Sequence, residues 1–165
     1  MAFFQWSEAM SVGVAVLDSD HRALIDLINA LHDGLEFGDE PTELAAVFEQ
    51  LVIYVDHHFA REEGVMDACG YPASAAHREE HRRLAQDMHY IRDRYIKGGE
   101  PRIGRELLDF LKDWLNHHIL IQDMHYKTYL AGNQRAGEAA ERFGPGLSDP
   151  AWKTRSRPPG PAQER

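Results

Sequence analysis

Apolar positions along this chain recur at steps of three and four in four stretches, and glycine or proline separates each stretch from the next. Residues 1–17, with Trp6 and the partly β-branched run Ser11-Val12-Gly13-Val14-Ala15-Val16-Leu17, lack that period and read as an arm packed over the helices. Asp18 or Ser19 can then cap a helix by accepting hydrogen bonds from its first free backbone N–H groups, and His21, Leu24, Ile28, Leu31 and Leu35 share its inner face. That helix should stop near Gly38.

Pro41 suits a first helical turn because its missing N–H has no partner to lose there, and Leu44, Phe48, Leu51, Val55, His58 and Glu62 form the next stripe. Gly64 to Gly70 should end it. After Tyr71-Pro72 a third stripe runs through His77, His81, Leu84, Met88, Ile91 and Tyr95 to Gly98-Gly99. The fourth should begin after Pro101 and reach about Leu130, with Leu107, Leu111, Trp114, His118 and Ile121 along one edge before Gly132. Four such helices with short connections predict an all-α, antiparallel up-down-up-down four-helix bundle with an N-terminal arm and a C-terminal extension. Residues 1–131 are the expected bundle. Residues 132–165, rich in glycine, proline and charge, offer little apolar surface to offset the entropy of ordering and are expected as a flexible tail, with Phe143, Leu147 and Trp152 able to dock.

A length of 165 residues with 43% hydrophobic content fits one core, and a formal charge of −9 without a basic run argues against nucleic acid or an anionic membrane as partner. The N-terminus lacks a basic head followed by an apolar stretch, and no later run approaches the roughly 20 apolar residues of a membrane span, so a cytoplasmic location is expected. Cys69, the single cysteine, excludes an internal disulfide and a cysteine-held metal cluster. Any metal here must take nitrogen and oxygen ligands.

Histidine supplies that chemistry. His21, His58, His77, His81 and His118 stand where an amphipathic helix places apolar core residues. His58 with Glu62, and His77 with His81, lie four apart and therefore on one helical face. Imidazole suits iron, copper, zinc or nickel, whereas a carboxylate can join two ions. Burying five imidazoles and their carboxylates without partners would cost several kcal/mol or more, which weighs against a purely structural role. Beyond His118 the pattern is open: on an ideal α-helix five residues turn through about 500°, leaving Asp123 roughly 140° away from His118, while His125 lies nearer the stripe. His32, His57, His89, His117 and His125 are otherwise read as surface or hydrogen-bonded histidines, and Tyr126 as either near the centre or facing solvent.

The segments WSEAMSVGVAVLDSDH, HHFAREEGVM, YPASAAHREEH and WLNHHILIQDMHY, in this order and spacing, resemble bacterial hemerythrin from residue 3 to about 130. The resemblance implies two iron ions per chain, joined by an oxo or hydroxo bridge and held by His21, His58, Glu62, His77, His81, His118 and Asp123. It selects Asp123 over His125, His58 over His57 and His118 over His117. It places His77, His81 and His118 on a saturated iron and His21 with His58 on the other, where one position stays open. Where that family usually has glutamine before its first ligand this chain has Asp20, an added carboxylate beside His21 that could alter ligand basicity.

The function implied by the resemblance is reversible O2 binding for carriage, storage or sensing, with small anions such as azide as competitors, no catalytic residue and no enzymatic activity. The alternative is a di-iron oxidase or peroxidase using the same open position. Ferritin-like enzymes, however, use mostly glutamates with Glu-x-x-His pairs, and this chain is histidine-rich with four-residue spacing. Phe59, Trp114, Leu115 and Ile119, close to the ligands in sequence, are assigned to an apolar O2 pocket; periodicity alone would make the last three core residues.

Overall fold

The computed structural model describes residues 3–38, 41–98 and 101–147. Four long helical rods make the body: α1 (Ala15–Phe37), α2 (Pro41–Cys69), α3 (Ser74–Gly98) and a fourth that runs from α4 (Pro101–Asp113) through a π-helical stretch, Trp114–Gln122, into α5 (Asp123–Leu130). α1 packs on α2, α2 on α3, α3 on α4, and α4 closes the ring against α1. This is the expected four-helix bundle. No helix among the described residues is long and apolar enough to cross a membrane.

Apolar stripes bind the rods together. Leu24, Ile28 and Leu31 of α1, Phe48, Leu51 and Val55 of α2, Met88 and Ile91 of α3, and Leu107 and Leu111 of α4 are buried in one cluster, where Phe48 stacks on Tyr95 with ring centroids 4.3 Å apart. Each such side chain contributes about 1.5–3 kcal/mol on leaving water, so this burial is a main source of the bundle's cohesion. α1 starts three residues before the expected cap. Asp18 lies inside its first turn and reaches back, accepting from the Val12 N–H at 2.8 Å and the Ser11 hydroxyl at 2.6 Å, which ties the arm to the helix. The stop at Gly38 holds, since φ of 75° lets its N–H bond the Gly34 carbonyl.

α2 ends at Cys69, inside the Gly64 to Gly70 stretch expected to stop it, and the missing side chain of Gly64 makes room for Phe143, whose ring would lie 2.8 Å from an added Cβ. Two expectations change. Ile121 does not continue the inner edge of the fourth rod and is 48% exposed, because the π-helical turns rotate it outward. Finally, the bundle does not give way to a loose tail at residue 132. α6 (Gln134–Glu141) packs on α2 and α1 through buried Ala136, Ala139 and Ala140, and the strand of chain after it buries Leu147. Alanines spaced by three and four form a flat face that permits close approach, a pattern easily missed beside so much glycine and charge. Trp152 lies outside the described residues.

Candidate metal centre

Each rod delivers its histidines to the same depth of the bundle. His21 projects from α1, His58 and Glu62 from α2, His77 and His81 from α3, His118 from the π-helical stretch, and Asp123 from the start of α5; all seven are buried. The π-helical stretch resolves the awkward spacing. The Asp123 N–H bonds the carbonyl of His118, five residues back, so one turn closes over five residues and both side chains face inward. His125, the rival suggested by spacing, is exposed.

The side chains form two groups of ligand atoms, Glu62 with His77, His81 and His118, and Glu62 with His21, His58 and Asp123, each within 4.8 Å. Asp123 spans them as well: its Oδ2 lies 3.4 Å from His21 Nε2, while its Oδ1 lies 3.2 Å from His77 Nε2 and 3.3 Å from His118 Nε2. Glu62 Oε2 faces His58, His77 and His81 Nε2 at 3.8, 3.7 and 2.9 Å. Its Oε1 accepts the hydroxyl of Tyr126, a fully buried ring; of the two readings of Tyr126 the inward one holds.

Two carboxylates brace the outer nitrogens. His58 Nδ1 lies 3.2 Å from Asp20 Oδ2, and His81 Nδ1 lies 2.9 Å from Glu63 Oε1. An ionised carboxylate only accepts, so each Nδ1 carries the proton and each Nε2 is left to face the centre. Asp20 therefore serves His58, not the adjacent His21 as its place in the sequence suggested. Burial works to raise the Asp20 pKa, but the bond and charge of His58, then the Arg61 guanidinium and the Leu147 N–H, hold it below the ordinary value.

Electrostatics are consistent with a site made for cations. Burial opposes a charge on His77, yet its contacts with Asp123 and Glu62 push its pKa up to about 10; His21 is raised against burial by Asp123, Glu62 and Asp20, and His81 by Glu62 and Glu63. His118 goes the other way, down to about 4, because burial dominates. Glu62 and Asp123 both stay ionised, burial being outweighed by the surrounding imidazoles. Burial and the charges of Asp123 and Glu62 push the Tyr126 phenol well up, so it remains a donor.

The residues fit a metal centre on two grounds. Buried atoms with no partner of hydrogen-bonding geometry cluster here, including Nε2 of His21, His58 and His77, Glu62 Oε2 and both Asp123 oxygens. His81 and His118 also bring their Nε2 atoms to 3.0 Å, about the separation of adjacent ligands on an ion with bonds of about 2.1 Å at right angles.

Of the assigned pocket residues, Phe59, Trp114, Leu115 and Ile119 are all buried in the main apolar cluster. Phe59 stacks on His81 with centroids 3.8 Å apart and lies 5.3 Å from the Trp114 ring. Two further neighbours escaped the sequence: Tyr54, stacked 5.1 Å from His58, and the fully buried Arg61. Arg61 lies in a charged run that looks like solvated helix face, and only its position three after His58 hints otherwise.

A family model described as the Hemerythrin HHE cation binding domain matches residues 12–130. The bacteriohemerythrin of Pseudomonas paraeruginosa is 36% identical over 126 residues, covering 76% of this chain and 80% of that one. The bacteriohemerythrin of Ralstonia nicotianae is 31% identical over 141 residues, 86% of this chain and 97% of that one. Among solved structures a wild-type hemerythrin superposes with a TM-score of 0.70 at 30% identity, covering 79% of this chain and all of the other. With a family match over most of its length and the ligand-bearing bundle in place, the chain belongs to the hemerythrin family.

Proposed function

We propose that the seven converging side chains hold a pair of irons at which this protein binds O2 reversibly, for carriage, storage or sensing. A di-iron oxygen-binding function is what membership of the family carries. The observation supporting this assignment is the sharing of acids between two ligand groups: Glu62 belongs to both, and the two oxygens of Asp123 face different histidines. His77, His81 and His118 would take one iron. His21 and His58 supply only two imidazoles to the other, which leaves room for a small ligand.

Iron bound there would supply the electrons that O2 takes up and returns; the chain's part is to hold it and keep the surroundings dry. Asp20 and Glu63 fix the tautomers of His58 and His81, and Tyr126 orients Glu62 by donating to Oε1. Phe59, Trp114, Leu115 and Ile119 place apolar surface beside the centre, where water or anions would promote loss of the bound gas. No acid or base has to move.

Iron-loaded, reduced protein should develop a visible absorption band in air, lose it on deoxygenation, and show a different band with azide. Turnover of a reductant or peroxide, with no return on deoxygenation, would instead favour an oxidase or peroxidase.

A further inference from the structure

Behind His58 lies a polar assembly that the ligand set does not require. Arg61 and Asp20 are both fully buried, with Arg61 Nη1 2.5 Å from each Asp20 oxygen. The far end of the guanidinium does not reach solvent. Its Nη2 lies 2.8 Å from the Pro145 carbonyl, 3.2 Å from that of Gly144 and 3.3 Å from that of Phe143. The same segment returns a donor, since the Leu147 N–H bonds Asp20 Oδ1 at 2.7 Å. His57, beside the ligand, also faces the Phe143 carbonyl at 3.0 Å.

Two glycines make this approach possible. Gly64 on α2 admits the Phe143 ring, and at Gly146 a Cβ would overlap Ser19 Oγ and Cβ and come within 3.3 Å of the Val16 carbonyl. α6, lying on α2 and α1, delivers the segment to this point. The family match ends at residue 130, so the 143–147 segment lies outside the matched region, while Asp20 and Arg61 lie within it.

We propose that Arg61 and the 143–147 segment are a positioning device for the open-iron half of the centre, with the C-terminal extension holding Asp20 against His58 Nδ1 and sealing that side from water. The inference rests on the oxygen-binding reading for its consequence but not for its geometry. A carboxylate buried with one arginine has little freedom when both partners are pinned by backbone; with the segment displaced, Arg61 loses three acceptors, Asp20 loses a donor, and water enters behind His58.

Gly146→Val in the full-length protein tests this, because it unseats the segment without altering any ligand, Asp20 or Arg61. In metal-free, ¹⁵N-histidine-labelled protein the His58 Nδ1–H should exchange with water about tenfold faster, while helical content measured by circular dichroism is unchanged. Once iron-loaded, the variant should keep its iron and autoxidise about tenfold faster. Arg61→Lys, which keeps the charge beside Asp20 but spans fewer carbonyls, should fall between it and the wild type. Wild-type exchange in Gly146→Val would overturn the clamp. Failure of the wild type to take iron would overturn the oxygen-binding reading alone, since the exchange measurement needs no metal.

Discussion

The two halves of the centre are built with the same imidazole chemistry but supported differently. On the His77, His81 and His118 side the bracing carboxylate is Glu63, whose side chain is 28% exposed and which pairs with Arg78, itself at the surface. On the His21 and His58 side the brace is Asp20, fully buried, locked by Arg61 and by backbone from the far end of the chain. On the proposed assignment, a saturated ion would need its ligands only held in place, and three imidazoles on adjoining helices would hold one another. An ion with a vacant position would have fewer protein ligands to fix it and more to lose if water arrived, and that is the side on which the buried ion pair lies.

The widest break in this comparison is to remove what the halves share. Glu62→Gln keeps the shape but discards the charge that belongs to both ligand groups, so iron per chain, measured by elemental analysis, should fall to near zero. Loss of only half the iron would mean that Glu62 serves one ion.

Protons give a second test. Metal ligands must be neutral imidazoles, yet His77 is held protonated to about pH 10 by Asp123 and Glu62, and His21 and His81 are raised in the same direction. These groups bind protons below their raised pKa values, so iron must displace them at neutral pH and apparent affinity should climb as pH rises. His118, lowered to about 4, is already neutral and should release none. Loading a weakly buffered solution at pH 7 and following an indicator dye should show protons released from both halves. A pH-independent affinity between 6 and 8 would contradict the assignment.

Much of this was legible in the chain because helices repeat. Period placed the four rods, and spacing of four put His58 with Glu62 and His77 with His81. Asp123 was not legible from spacing, since a π-helical turn changes the count from four to five and leaves no mark in the hydrophobic pattern; Ile121 was misplaced for the same reason. Only resemblance found Asp123. The clamp was hidden for another reason: Arg61 looks like one more charge in a charged run, and its partners are backbone carbonyls more than eighty residues away. Side-chain sequence says almost nothing about where a carbonyl will point.

Dryness at the proposed open position should depend on the apolar lining as well. Replacing Leu115 by Asn places an amide among Trp114, Phe59 and Ile119, and autoxidation followed by loss of the visible band should quicken several-fold while iron content stays unchanged. An unaltered rate would remove Leu115 from the pocket and leave it a core residue.

The smallest effect sharpens the comparison most. Glu63→Gln and Asp20→Asn make the same chemical change to the partner of one ligand histidine, so any difference between them reports the surroundings. Glu63 is reached by water, which can accept the His81 proton in its place, and iron affinity should fall by no more than about threefold, below the usual cost of removing a ligand's partner. Asp20→Asn leaves the Arg61 charge buried without its counterion, a loss of about 3–5 kcal/mol, which in a chain of this size lowers Tm by on the order of 10 °C. Thermal melts of the two metal-free variants, run side by side, read this directly: Glu63→Gln should melt within a degree or two of the wild type, within the range of ordinary surface substitutions. Equal melting of the two would mean that both halves are braced alike, and that the buried pair behind His58 has no more consequence than a carboxylate at the surface.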